Sequence, residues 1–511
     1  MATVTSMSKK RVIVICAAII FATSPLIWFR YFPLIDYPRH LASLQIRQTF
    51  SSDINVANFY AFHWVFTPDL GLDLLATPLL SVLPVEIVGK IVICLAFATI
   101  YGGTILLDRG LNPNNWGPSI FAGIFLYNAS FDWGFINYII GIGFAILAFW
   151  MWVRYREKII GFSIVGFTAL GLIVGLMHFY AFAIYGICVA GYECSFFSEN
   201  LRIERRLRIS LFRIPFRAAI SIIVPMVAML IPASSGHGPL VWGRPWGPQT
   251  FWDSLVKWKG EALVSPIYFH HFLEKPLLIA VLAILVWALA TRTLVVNSRM
   301  LIPLAAFGVI FLVMPSWGFV DYRLPSGVAF FAWASLGWGE TSRARIGVVS
   351  LLLALCLIVR VGSVFSIWQP AQSTIEEYDT ALKSVQPGSR LLVIMDDSGW
   401  SYPSLVHVPL FPATKQGVFV QRDSVDDIKM ADDIKLVDYL MEIRNPPVKI
   451  PTGISLKEVG RGQTFNLYRI GQGTEPQSIR RGSGAALRGL HAGPPDPTIV
   501  IFPNGRNDDV R

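Results

Sequence analysis

Long apolar runs dominate this chain, and they restrict it to folds that are built in a membrane. Runs of about 18 or more apolar residues can cross a hydrocarbon core as helices, and shorter runs can cross when aromatic residues anchor their ends. Of the 511 residues, 54% are hydrophobic and only 15% are charged, which lies outside the norm for soluble domains. The sequence therefore predicts a mainly α-helical, polytopic membrane protein with about eleven transmembrane helices. The predicted spans are residues 12–29, 88–107, 117–130, 136–153, 159–177, 180–197, 218–232, 276–291, 300–314, 325–339 and 346–361.

Basic residues in the loops set the predicted orientation, because short loops rich in Lys and Arg stay in the cytoplasm. With Lys9, Lys10 and Arg11 inside, alternation also places inside the Arg and Lys clusters that follow the fourth, sixth, eighth and tenth spans. These clusters account for most of the net charge of +10, so the cations do not indicate nucleic-acid binding. Residues 70–84 either form a further span or lie in the interface as a helix of the first outer loop.

After residue 361 the composition changes to that of a small soluble domain. "IEEYDTALKSV" predicts a helix, "SRLLVIMDD" and "GVFVQ" predict strands, and "SLKEVGRGQTFNLYRI" predicts a closing hairpin. We therefore expect a transmembrane domain over residues 1–362 and a small outer α/β domain over residues 363–470. Residues 471–511 are rich in Gly, Pro and Arg and are predicted to be a disordered tail.

The polar residues of the predicted outer loops gather at one face of the membrane, where ionisable groups are costly and need a reason. The first loop carries Asp36 and His40 in the motif "DYPRH", and also Asp69. The second loop carries Asp132 in "NASFDWGFIN", and the third is little more than His178. This one-sided clustering favours surface chemistry over transport, because a transporter more often carries ionisable residues near the midplane.

The fourth outer loop, residues 233–275, is long and rich in aromatic residues. It also carries Arg244, Lys257 and His270. Interleaved cations and aromatic rings suit either a surface that holds an anionic, greasy ligand or an interfacial belt that only anchors the protein.

The motif "DYPRH" has two interpretations that are compatible with each other. If a helix begins after Asp36, Pro38 fits its first turn and the Asp36 carboxylate caps the free backbone amides. In the same helix His40, Ser43 and Arg47 recur at three- and four-residue intervals and form a polar face. Such an interfacial helix would lie on the membrane and would hold Asp36 where the head group of a lipid-linked molecule arrives.

Three other side chains also have two interpretations each. Arg323 either binds a phosphate or pairs with Asp321, and His178 either contacts a ligand or packs as a hydrogen-bonded residue. His270 and His271 are adjacent, so they do not share a helix face, and no carboxylate stands at zinc-site spacing. All five cysteines fall inside predicted spans. The sequence therefore predicts no metal site and no disulfide framework.

The layout resembles the GT-C superfamily of integral-membrane glycosyltransferases. It is similar in particular to bacterial polyprenyl-phosphate-sugar transferases related to aminoarabinose transferases and protein mannosyltransferases. The matching features are "DYPRH" after the first span, "SFDWGFIN" in the second outer loop, a long outer loop after the seventh span and an outer C-terminal domain. The family often has paired acids in the first loop, whereas Asp36 is followed by Tyr37 here. No cofactor is therefore implied with certainty, and a divalent metal stays an open alternative.

The resemblance implies a hexosyl or pentosyl transferase that takes a sugar from a polyprenyl phosphate and passes it, with inversion, to a lipid or glycan acceptor at the outer face. It implies Asp36 as the base and Asp132 as the residue that orients the acceptor or the sugar. We add His40, His178, Arg244, Lys257, His270 and Arg323 as candidate substrate-binding residues.

The expected location is the bacterial inner membrane, with a cytoplasmic N-terminus and a periplasmic C-terminal domain. The alternative is a non-enzymatic membrane carrier or an assembly scaffold for lipid or polysaccharide.

Overall fold

The protein is predominantly helical. The computed structural model describes residues 9–60, 64, 66–158, 162–204, 212–233, 259–268, 272–314, 320–395, 407–424, 437–443 and 455–471. Within them, six helices are long and apolar enough to cross a membrane: Lys9–Trp28, Val85–Leu111, Ile136–Lys158, Phe179–Arg202, Arg213–Leu230 and Arg343–Leu382. The prediction of a mainly α-helical, polytopic membrane protein is confirmed. The predicted tail, apart from residue 471, lies outside the described residues.

Helices occupy nine of the eleven predicted spans over most of their described length, whereas the predicted span at residues 325–339 is helical only as far as Ala334 and ends in the strand Leu336–Trp338. Short helices also lie between the first two of these spans. The α-helices are Lys9–Trp28, Tyr37–Thr49, Ile54–Phe59, Gly71–Leu80, Val85–Leu111, Ala129–Asp132, Ile136–Tyr155, Phe162–Met177, Phe179–Glu204, Arg213–Ala233, Gly260–Val264, Glu274–Ala290, Leu301–Val313, Val320–Ala334, Arg343–Leu382 and Leu410–Lys415. Helix Gly71–Leu80 has 10 residues. It is about 15 Å long at 1.5 Å per residue, which is half of the hydrocarbon thickness.

The third predicted span, residues 117–130, is not a continuous α-helix. Its apolar run forms the 3₁₀-helix Pro118–Phe125, followed by the short helix Ala129–Asp132. Gly117 has a φ of 148°, a backbone conformation that suits glycine, and Pro118 follows it directly. The segment is largely buried, so its apolar character reflects packing inside the protein and not a regular span.

The chain divides into two compact units. The first comprises Met1–Trp28, Phe66–Leu75 and Lys90–Ser366. Within it, helix Arg213–Ala233 packs on helix Phe162–Met177, and both helices contact helix Phe179–Glu204. Trp152 and Phe149 of helix Ile136–Tyr155 and Tyr101 of helix Val85–Leu111 are also fully buried.

Buried ion pairs lie inside this first unit, among them Arg156–Glu193 and Arg360–Glu274. The Arg156 guanidinium is 2.7 Å from the Glu193 carboxylate, which also accepts a hydrogen bond from the indole of Trp152. The Arg360 guanidinium is 2.7 Å from Glu274, and both side chains are at most 2% exposed. In these two pairs each buried charge has an opposite charge in contact, which offsets the cost of removing it from water.

The second unit comprises Phe29–Val65, Ala76–Gly89 and Ile367–Arg511. Its sheet has strand order β4-β3-β5-β7-β6. The strands are β3 (Arg390–Met395), β4 (Phe419–Ser424), β5 (Tyr439–Ile443), β6 (Leu456–Arg461) and β7 (Phe465–Ile470), while β1 (Leu294–Val296) and β2 (Leu336–Trp338) pair in the first unit. Strand β3 is parallel to β4 and β5, whereas β7 is antiparallel to β5 and β6.

Both faces of this sheet are covered, as the alternation along β3 requires. Leu391 and Val393 join one core cluster, which also contains Tyr378 and Leu382 of helix Arg343–Leu382. Leu392 and Ile394 join a second cluster on the opposite face. Successive side chains of a strand point to opposite faces, so the uninterrupted apolar run of β3 is explained by burial on both sides.

The second unit also contains Phe29–Val65, the start of the predicted first outer loop. Helix Leu410–Lys415 packs on helix Tyr37–Thr49. Val56 and Tyr60 are buried against Phe419. These contacts explain why first-loop residues cluster with the C-terminal residues in this unit.

Gly388 and Gly417 contact each other next to the first-loop residue Asp53. The Gly388 amide donates to the carbonyl of Gly417, and Gly417 has a φ of 65°. A Cβ at Gly417 would lie 2.9 Å from the Asp53 carboxylate. We expect Gly417→Ala to lower the free energy of unfolding by roughly 1–2 kcal/mol. Thermal unfolding in detergent measures this, with Gly347→Ala as the helical control that has open space around its Cα. Equal unfolding temperatures for the two variants would contradict the argument.

Candidate functional site

Asp36 stands at the start of helix Tyr37–Thr49, but its carboxylate does not cap the helix. Its φ and ψ are −91° and −7°, and its side chain makes no capping hydrogen bond. The first turn begins as the sequence predicts, with Pro38 in place and the backbone carbonyl of Asp36 accepting from the amide of His40. The capping interpretation of the Asp36 carboxylate is therefore wrong, and the carboxylate is oriented by another group.

That group is His407, which belongs to the C-terminal part of the same unit. Its Nε2 atom lies 3.1 Å from Oδ1 of Asp36, and the two side chains are 11% and 28% exposed. His407 precedes helix Leu410–Lys415, whose packing on helix Tyr37–Thr49 brings the imidazole to the carboxylate. His407 has no sequence signal, because nothing in the local pattern "YPSLVHVPLF" marks a functional residue.

The surroundings of Asp36 favour its ionised form. Burial raises the pKa of this carboxyl, but the hydrogen bond and charge of His407 outweigh it, together with the charges of His40 and Arg39. The net effect holds the pKa of Asp36 below its usual range. His40 therefore lies close enough to act on Asp36 electrostatically. The pair is a partly exposed anion with a cationic or hydrogen-bonding partner, an arrangement that can accept a proton or orient a donor group.

A narrow apolar cleft adjoins this pair. Tyr37 and Val408, the direct neighbours of Asp36 and His407 in the chain, are among its lining residues. The others are Tyr31, Phe32, Pro38, Leu41, Ile375, Asp379, Phe411 and Pro412. Phe32 and Tyr37 stack with their ring centroids 5.4 Å apart. The volume of the cleft is about 20 Å³, which has room for about one water molecule, so the cleft itself does not seat a sugar or a polyprenyl chain.

In the first unit, Asp132 ends the short helix Ala129–Asp132 and is 3% exposed. Asn128 caps this helix by accepting a hydrogen bond from the backbone amide of Phe131 at 3.1 Å. Asp132 is therefore fixed by a capped turn in a buried position. The structure does not bring it into the same unit as Asp36.

His178 lies in a hydrogen-bonded position between two helices of the first unit. Its Nδ1 accepts from the backbone amide of Tyr180 at 3.0 Å, so the proton of the neutral ring is on Nε2. Nε2 is 3.1 Å from Oδ1 of Asp69. Asp69 adopts a φ of 78°, and Asn137 holds it by donating to its carbonyl at 2.6 Å. The sequence marks Asp69 only as an acid of the predicted first outer loop, and its pairing with His178 has no sequence signal.

Arg323 lies beside the same cluster and stacks on aromatic rings. Its guanidinium is 3.9 Å from the ring centroid of Phe135 and 5.3 Å from that of Tyr180. The interpretation that Arg323 pairs with Asp321 is wrong, because Asp321 forms a buried ion pair with Lys259 instead. Arg323 is therefore presented on an aromatic platform, a typical arrangement for a guanidinium that meets an anion.

The other candidates divide as follows. Arg244, Lys257 and His270 lie outside the described residues, so their assignment as substrate-binding residues stays a prediction. Among the residues that the structure describes, no group of three or more His, Cys, Asp or Glu side chains is arranged to hold a metal ion. Asp36, His40 and His407 belong to one unit, and His178 and Arg323 belong to the other.

Comparison with known proteins gives a match at the level of fold. No protein-family model and no curated protein matches the sequence. Among solved structures, the chain is similar to ArnT from Cupriavidus metallidurans, which was solved bound to undecaprenyl phosphate. The superposition has a TM-score of 0.52 at 11% sequence identity and covers 91% of this chain and 98% of ArnT. The chain therefore has the fold of ArnT, in agreement with the resemblance that its layout and motifs indicated.

Proposed function

We propose that this protein is a membrane glycosyltransferase that moves a sugar from a polyprenyl phosphate to an acceptor. The observation that carries the proposal is the Asp36 carboxylate, held ionised beside His407 at the start of helix Tyr37–Thr49, in a chain with the fold of ArnT. The cell envelope location proposed with it is the bacterial inner membrane, with the C-terminal unit on the periplasmic side. The Lys and Arg clusters of the predicted inner loops support this orientation.

The proposed reaction is a single displacement with inversion at the anomeric carbon. An acceptor hydroxyl or amine forms the new bond to the anomeric carbon, while the bond from that carbon to the phosphate oxygen breaks. The polyprenyl phosphate leaves with the bonding electrons, and Asp36 takes the proton that the acceptor loses. Asp132 would orient the acceptor or the sugar, and His40 would contact the substrate near Asp36.

A cation near the leaving phosphate lowers the barrier, because negative charge develops on that oxygen. Arg323 is the described residue best suited to the role. Its planar guanidinium can make two parallel hydrogen bonds to phosphate, and the rings of Phe135 and Tyr180 fix its plane. His178, Arg244, Lys257 and His270 are the other proposed substrate contacts.

Arg323→Lys tests this assignment, because it keeps the charge and removes the planar fork. We expect kcat/KM for the donor to fall by about tenfold, since one strong charge-assisted hydrogen bond to the leaving phosphate is worth roughly 1.5 kcal/mol. Steady-state kinetics over a donor series would measure it. Arg299→Lys is the matched control, because Arg299 also stacks on a ring, that of Phe196, but pairs with exposed Glu199. A kcat/KM that changes equally in both variants would remove Arg323 from the donor site.

The proposed function itself is tested by transfer of labelled sugar from a panel of polyprenyl-phosphate donors. Native protein in reconstituted vesicles should release free polyprenyl phosphate in equal amount to the sugar transferred. Vesicles without protein are the blank. If no donor supports transfer while the labelled lipid or glycan still moves across the vesicle membrane, the protein is a carrier. If neither occurs, the scaffold interpretation takes precedence.

A further inference from the structure

We infer that His407 is a positioning residue for Asp36, so that the C-terminal part of the chain completes the acidic site of the first outer loop. The inference rests on the proposed function, because it concerns the proton acceptor of that reaction. It goes beyond the resemblance, whose matching acidic motifs lie only in the outer loops. No motif of the sequence assigned a role to His407.

The contact with His407 orients the Asp36 carboxylate. This carboxylate has two oxygens and makes no capping bond to its own helix, so the helix does not fix its orientation. His407 occupies Oδ1 through Nε2 at 3.1 Å. In the proposed step, Oδ2 is therefore the oxygen that takes the proton of the acceptor. A proton acceptor must lie within hydrogen-bond reach of the proton it takes, so fixing the rotamer of Asp36 contributes directly to the reaction.

The segment that follows His407 packs against the predicted first outer loop at several points. The backbone carbonyl of His407 accepts from the amide of Leu410, which begins the helix that packs on Tyr37–Thr49. At the end of that helix, Lys415 is 2.8 Å from the carboxylate of Glu86. Further along, the ring of Phe419 lies 5.7 Å from that of Tyr60. The imidazole of His407 is therefore positioned by a segment that is held by helix packing, an ion pair and a ring contact, and not by an isolated loop contact.

Charged groups from three segments of the described part of the chain lie near Asp36. Its own helix contributes Arg39 and His40, and the facing segment contributes His407. The end of helix Arg343–Leu382 contributes Asp379 to the adjoining cleft, where Lys383 lies 3.6 Å away and offsets its charge. The hydrogen bond of His407 is the largest of the influences that stabilise the Asp36 anion.

In the proposed step, His407 neither gains nor loses a proton. Its Nε2–H donates to Oδ1 before and after transfer, and the acceptor's proton arrives on Oδ2 as the bond between sugar and phosphate breaks. The pairing keeps Asp36 ionised at pH values at which an isolated carboxyl would already be protonated. Removing His407 should therefore raise the pKa of Asp36. As the pH is lowered, the variant should then lose activity at a higher pH than the native protein does.

The experiment compares pH–rate profiles of native protein, His407→Ala and His407→Gln in reconstituted vesicles. For His407→Ala we expect the acid limb of kcat to move up by roughly one pH unit and kcat to fall by about tenfold, with the donor KM unchanged. His407→Gln keeps a hydrogen-bond donor without the charge, so it should recover most of kcat while the acid limb stays partly shifted. Lys415→Ala is the control for loosened packing of the segment and should leave the acid limb in place.

An acid limb that is unmoved in both His407 variants would overturn the inference and leave His407 a packing residue. A second readout does not depend on activity and separates this failure from failure of the proposed function. In a double-variant cycle of Asp36→Ala and His407→Ala, the unfolding temperature at neutral pH should fall less in the double variant than the sum of the two single losses. If native protein transfers no sugar but this coupling is present, the pairing stands and the proposed function falls. Additive losses would refute the pairing itself.

Discussion

Asp36→Asn is expected to reduce kcat for sugar transfer by about 10²- to 10⁴-fold, the range that positioned general bases contribute. Asparagine keeps the size of the side chain and an oxygen that can accept from Nε2 of His407, so the local packing and the helix start should survive. What it removes is the ability to take a proton. We therefore expect the donor KM and the unfolding temperature to change little, and single-turnover transfer measured with saturating donor isolates the chemical step.

Asp53→Asn is the matched control for this experiment. Asp53 lies in the same loop and caps helix Ile54–Phe59 by accepting from the amide of Asn55 at 2.9 Å. Asparagine caps helices as well as aspartate does, so the control should retain native kcat. An Asp36→Asn protein that folds, binds donor and transfers sugar at the native rate would eliminate Asp36 as the base and shift attention to Asp132.

The transmembrane architecture was largely predictable because burial in a membrane imposes its pattern on many residues at once. Residues 117–130 show where that reasoning fails. The segment is apolar enough to be taken for a span, yet it is a buried 3₁₀-helix and a short capped turn. Apolar composition records the absence of water around a segment, and it does not specify how the backbone satisfies its hydrogen bonds.

Single candidate residues were also recognisable, whereas their partners were not. Asp36 and His178 stand out because each is an ionisable group in an apolar setting. Their partners, His407 and Asp69, are distant in sequence and are joined to them only by folding. Periodicity could in one case have corrected a pairing. Asp321 and Arg323 are two residues apart within helix Val320–Ala334, where such side chains do not face each other.

Arg360→Ala should be the most destabilising single change within the first unit, and it should act without touching the candidate site. Arg360 and Glu274 are 2.7 Å apart and at most 2% exposed, so removing the guanidinium leaves a buried carboxylate without its counter-charge. Breaking such a pair costs about 3–5 kcal/mol in free energy of unfolding. Chemical denaturation in detergent, followed by tryptophan fluorescence, would measure the loss.

The double variant Arg360→Met with Glu274→Leu tests whether charge or packing causes this loss. Replacing both partners by apolar side chains of similar volume is often neutral or stabilising, so the double variant should regain most of the native stability. Lys383→Ala, which breaks the exposed pair with Asp379, should cost at most about 0.5 kcal/mol. If the double variant were as unstable as Arg360→Ala alone, the pair would contribute through shape. The cost of a lone buried charge would then not explain why these two helices carry opposite charges at matching positions.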